Sequence, residues 1–300
     1  MNKYINHVLG EKRKGNKPDP EIIDKLDTAA MLVWELTHSE YSFKIVSKLF
    51  ELFPEKPETE KVFRKLLEKL AADVRPYNQE LTGLFYEYAD TGFSRYGNAE
   101  WLKKLVREVT RDLMDMMLEN TWKLYDDEKK TIRDLLEKAF ANDLYITAAD
   151  FSFFEDYFFE KMQYLLPGKP ELASELFAIW TDFSACEKPE TRATVAGRLI
   201  EKAWETGKLS FYTRLYKFSK DHEIYGLEHW EAKIQHALIK QYNTKPKNIY
   251  HWKKMTDDLK MFPGFREFKV FCKDYSLKYA ENQLNSDNFS EAAEVLKYLR

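Results

Sequence analysis

Three histidines, His222, His229 and His236, recur every seven residues. On a helix that spacing is a rise of about 10.5 Å per step. Two imidazoles so placed cannot share one metal ion, which needs partners three or four residues apart. No HExxH pattern accompanies them, so they read as surface or packing residues. A second group is more regular. Glu108, Asp112, Asp115 and Glu119 follow at intervals of four, three and four, which places their carboxylates on one ridge of a helix with Trp101 on the same line. The apolar residues Leu102, Leu105, Val109, Leu113 and Met116 lie about 100° round the axis. The ridge therefore borders a buried face.

Three chemistries fit such a ridge. It could bind a divalent cation, it could be a solvated flank, or it could dock a basic helix or peptide with Trp101 as anchor. The DDxxD arrangement of helical isoprenoid synthases is absent, because "YDDEKK" (125–130) carries Lys130 where the third acid belongs. Basic residues with interleaved aromatics occur in "FYTRLYKFSK" (211–220) and "NIYHWKKM" (248–255). There Arg214, Lys217, Lys253 and Lys254 form a candidate basic surface for phosphates. The aromatic run around Phe151, Phe154, Phe158 and Met162 has helical spacing and reads as core. No glycine-rich phosphate loop, GxSxG elbow or CxxC pair occurs. Cofactor and metal are expected to be none.

Composition limits the partners. A net charge of −3 and a pI near 6.2 supply no overall attraction to nucleic acid or anionic lipid. The two cysteines, Cys186 and Cys272, have no disulfide or zinc context, and reduced thiols suit a cytoplasmic protein. No apolar run approaches the length of a membrane span. No secretory leader is expected from the polar N-terminus.

Gly and Pro together number only 20 in 300 residues, too little turn punctuation for a sheet protein. From Pro20 onward the helical period scarcely stops. Lys-Pro-Glu occurs at 56–58, 169–171 and 188–190, each time before an apolar stripe, as expected for Pro in the first helical turn and Glu at the positive end of the helix dipole. About fourteen helices are expected. They begin near Pro20, Ser39, Pro57, Pro76, Asn98, Asp126, Thr147, Pro170, Pro189, Leu209, Leu227, Asn248, Gly264 and Asn288. Short links make neighbours antiparallel. The expected fold is all-α, with stacked antiparallel helical hairpins forming an irregular α-solenoid over residues 20–300. A subdivision is possible near 146, and residues 1–19 form a flexible segment.

In the last third Leu209, Ile249 and Phe289 stand 40 residues apart, as do Leu199, Ile239 and Tyr279, and Tyr212, Trp252 and Ala292. That interval lies in the range of helical repeats. "KYAENQLNSDNFSEAAEVLKYL" (278–299) resembles a tetratricopeptide unit at Ala280, Phe289, Ala292 and Leu296, with Asp287-Asn288 in place of the usual Gly-Asp turn. "RATVAGRLIEKAWETG" (192–207) looks more like a HEAT-type helix. The resemblance implies a helical-repeat class and no single family. The last helix places Phe289, Ala292, Ala293, Leu296 and Leu299 on one face. The preceding hairpin, a second chain or further sequence could cover it, and self-association through this helix is one outcome. The expected function is a non-catalytic scaffold or adaptor binding a protein or peptide on a helical groove. A nucleic-acid-binding repeat and a helical enzyme with a buried carboxylate pocket are the alternatives.

Overall fold

The computed structural model describes residues 10, 12, 21–54, 57–97, 99–140, 148–184, 189–244 and 248–299. The segment 1–19 therefore lies outside the described residues apart from Gly10 and Lys12. The expected starts at Pro20, Asn98 and Thr147, and the subdivision near 146, also lie outside them. Fourteen helices and no strand occur among the described residues. They are α1 (Glu21–Thr37), α2 (Tyr41–Leu52), α3 (Pro57–Asp73), α4 (Gln79–Tyr96), α5 (Glu100–Leu118), α6 (Asp126–Ala139), α7 (Ala148–Leu165), α8 (Pro170–Ser184), α9 (Pro189–Glu205), α10 (Leu209–Asp221), α11 (Glu228–Thr244), α12 (Ile249–Met261), α13 (Arg266–Asn285) and α14 (Phe289–Tyr298). None is long and apolar enough to cross a membrane. The helices pack on their chain neighbours or on the next helix but one, and α7 meets α8 through the stacked Phe158 and Trp180 rings. That is the pattern of stacked antiparallel hairpins.

The three Lys-Pro-Glu prolines open α3, α8 and α9. Several expected starts move inward, α2 from Ser39 to Tyr41 among them. α4 begins at Gln79 and not Pro76, because Asn78 accepts the Leu81 N–H as N-cap. α13 begins at Arg266, and Gln235 of α11 accepts the Glu267 and Phe268 N–H groups at 3.1 and 3.4 Å. A cap supplied from another helix leaves no local signature.

The chain forms two compact units, Met1–Tyr157 and Phe158–Arg300. In the first, α1, α3 and α5 lie side by side, with α2 and α4 behind them joined by the stacked Phe43 and Tyr88 rings, 3.8 Å apart. Polar bridges lock the front row. Lys65 and Lys69 of α3 reach Asp27 and Glu35 of α1 at 3.4 and 2.6 Å. Trp34 donates its indole N–H to Asp73 at 3.1 Å. Gly92 of α4 lets α3 and α5 close in: a Cβ there would stand 2.9 Å from Leu102 and 3.0 Å from Phe63.

In the second unit α10, α12 and α14 begin at Leu209, Ile249 and Phe289, as the 40-residue anchors require. The anchors themselves are not core. The third and sixth residues beyond them are: Tyr212, Trp252 and Ala292 are buried, and so are Leu215, Met255 and Val295. In the preceding helix Leu199 and Tyr279 are buried, whereas Leu238 replaces Ile239 inside. The last helix buries only part of its apolar face. Ala292 and Val295 pack inward, while Phe289 stays 62% and Leu296 40% exposed. Phe151 is also exposed where the sequence suggests core, whereas Phe154, Phe158 and Met162 are buried.

Candidate functional site

α5 supplies the acidic ridge, and the structure divides its members. Trp101 is half-buried, not an open anchor. Its indole N–H donates to Glu60 of α3 at 2.8 Å, and the Arg64 guanidinium lies 5.4 Å from its ring. Asp115 is likewise engaged, accepting the Tyr157 hydroxyl of α7 at 2.7 Å. Burial first, and then the Asp115 charge, push that phenol far above its ordinary range. So Trp101 and Asp115 tie α5 to its neighbours. Glu108, Asp112 and Glu119 point outward, Glu108 half-buried and the other two exposed.

The apolar edge of α5 also differs from expectation. Leu102, Val109 and Leu113 are buried, but so are Val106, Met114 and Met117, while Leu105 is half-buried and Met116 exposed. The core face is rotated because α3, α4 and α6 all contact this helix. Met116 consequently emerges among the carboxylates, four residues after Asp112 and three before Glu119. The ridge has local cations. Arg111 holds Asp112 at 2.9 Å, and Lys104 stands 3.8 Å from Glu108. The Asp112 hydrogen bond is the main reason that the Arg111 guanidinium binds its proton more tightly than usual.

The four basic positions of the second unit are not a uniform stripe. Lys217 pairs with Asp221, and Lys253 with Glu294 at 3.0 Å. Arg214 and Lys254 are exposed and both act on the charge of Asp258. Asp258 was not evident from sequence. Burial raises its carboxyl pKa, opposed by the Tyr242 hydroxyl, which donates to it at 2.6 Å, and by those two cations. Two similar bonds run from Tyr216 to Glu231 and from Tyr279 to Glu291, at 3.3 and 2.5 Å. Each ties a helix to the next one in the chain. Their only sequence signal is a tyrosine on an otherwise apolar stripe.

The histidines are dispersed. His222 meets the Ser174 hydroxyl at 3.1 Å and stacks on Phe177, pinning α8 to the end of α10. His229 and His236 are exposed. Among the described residues no three His, Cys, Asp or Glu side chains are grouped to hold a metal. An open cleft of about 590 Å³ lies between the start of α9 and the α10–α11 link, lined by Glu190, Arg192, Thr194, Glu223, Tyr225 and His229. Arg192 is held there by Asp182 at 2.7 Å. Comparison with protein-family models, curated proteins and solved structures finds no match for this chain.

Proposed function

We propose that the chain is a non-catalytic adaptor that holds a basic, amphipathic protein segment on the outward side of α5. The observation that carries this reading is the exposed Met116, set on the helix among the outward residues Glu108, Asp112 and Glu119. A polarizable, unbranched side chain adapts to apolar partners, and the acids around it favour lysine and arginine. The row behind it is fixed by Trp101–Glu60 and Tyr157–Asp115, so little ordering of the receptor is needed on binding.

Neither alternative draws comparable support. A nucleic-acid surface would draw on four basic positions, of which Lys217 and Lys253 each hold a carboxylate and Arg214 and Lys254 act on Asp258. On the ridge Glu108 and Asp112 have local cations too, and Glu119 has no ion-pair partner among the described residues. An enclosed carboxylate pocket needs inward-facing acids, and the ridge acids that are not tied to α7 face outward.

Fluorescence anisotropy tests the proposal with a labelled helical peptide of about 18 residues, leucine on one face and lysine or arginine on the other. The chain binds it, more weakly as salt rises. Asp112→Lys with Glu119→Lys lowers affinity by about tenfold or more, about 1.4 kcal/mol, with an unchanged circular dichroism spectrum. Equal affinity in the double variant contradicts the proposal.

A further inference from the structure

α13 is apolar on two opposite sides. One side is core: Phe268, Cys272, Tyr275 and Tyr279 are buried, and Phe268 stacks on Tyr242 of α11. On the other side Val270, Leu277 and Leu284 recur every seven residues and are 63, 39 and 42% exposed. Leu277 follows Phe268 by nine residues, about half a rotation of the helix. The stripe therefore faces away from α11. The stripe supplies one apolar position per heptad, where a two-helix coiled coil has two, so it offers a narrow helix-to-helix contact.

The charges beside this stripe are sorted. By helical projection Arg266 and Lys273 follow one edge of the stripe and Glu267, Asp274 and Glu281 the other, with Lys269 and Lys278 about 100° out on either side. All five edge residues are exposed, and among the described residues none has an ion-pair partner. Elsewhere some exposed helix charges pair within their own helix, as in Arg64–Glu68 and Lys260–Asp257, and others between helices, as in Lys69–Glu35 and Lys253–Glu294.

We infer that a second copy of this chain docks on the stripe, its α13 parallel to the first and related to it by a two-fold axis along the helices. That operation sets the basic edge of each copy against the acidic edge of the other. Lys273 then faces Asp274 of the partner subunit, and Arg266 faces Glu267 of the partner subunit. An antiparallel pairing instead brings the acidic edges together, with Asp274 beside Glu281 of the partner subunit, and like charges oppose it. One helix pair buries a small area, so the dimer is a weak one that forms and dissociates freely. The inference stands independently of the adaptor reading.

Sedimentation velocity of the full chain from about 1 to about 500 µM tests it, a range suited to a weak interface. The mass rises from one copy to two. Leu277→Asp and Lys273→Glu each weaken association by about tenfold or more, with circular dichroism unchanged because both sites are exposed. Combining Lys273→Glu with Asp274→Lys restores association, since the swapped charges meet again across the axis. In a Cys186→Ser background, Val270→Cys oxidises to a 270–270 dimer and Leu284→Cys to a 284–284 dimer. A single mass throughout, a Leu277→Asp variant that associates like the parent, or preferential 270–284 cross-links in a mixture of the two cysteine variants overturns the inference.

Discussion

Trp101 joins α3 to α5 through its N–H bond to Glu60 and through ring contacts with Phe63 and Tyr96. Trp101→Phe removes the hydrogen bond and part of the ring but keeps an aromatic face, and costs about 1–2 kcal/mol. Trp101→Ala also removes the ring and costs about 2–4 kcal/mol. Urea titration measures both, and two equal losses contradict the packing role. Asp258 sets a pH dependence. Its native pKa is raised by burial, so the folded chain binds this proton more tightly than the unfolded one. The resulting stabilisation is fully present below the ordinary carboxylate pKa and is lost as pH rises through the raised native value. Asp258→Asn keeps an oxygen for the Tyr242 hydroxyl but has no proton to lose. Between about pH 4 and pH 7 its stability relative to the parent therefore increases. Denaturation across that range checks the sign, and a decrease contradicts it.

Within α4 two glycines separate propensity from packing. Both sit inside a helix, where alanine is normally better by about 1 kcal/mol. Gly83 has nothing within 4 Å of a built Cβ, whereas at Gly92 the fully buried Leu102 and Phe63 stand in the way. Gly83→Ala should raise the unfolding free energy by about 0.5–1 kcal/mol. Gly92→Ala should lower it by about 1–2 kcal/mol, because a packed core resists an added methyl. Thermal melts of the pair decide this, and stabilisation by both substitutions refutes the close approach of α3 and α5. Elements of this kind were largely legible in sequence, since Lys-Pro-Glu and the 3.6-residue period act locally. The start of α13 was not, because its cap is Gln235 from α11.

At the scale of the molecule, hairpin stacking followed from sparse turn residues and short links. The register within the stack did not. The 40-residue anchors were found at the helix starts, while the buried positions lie three and six residues further on. Periodicity fixes which residues share a face but leaves open how far that face is rotated toward several neighbours. The same ambiguity hid Met116, placed by sequence on the apolar stripe and found among the acids. It also made Trp101 read as an anchor, because its partner Glu60 is 41 residues away. Met116 now offers the most direct test of a binding face on α5. Among the eight methionines, Met31, Met114, Met117, Met162 and Met255 are buried, so their methyl groups report indirect effects and Met116 reports contact. In a ¹³C-methyl NMR titration with the basic amphipathic peptide, the Met116 resonance should shift progressively with occupancy while Met255 and Met162 hold still. A bound peptide that leaves Met116 unmoved contradicts the account.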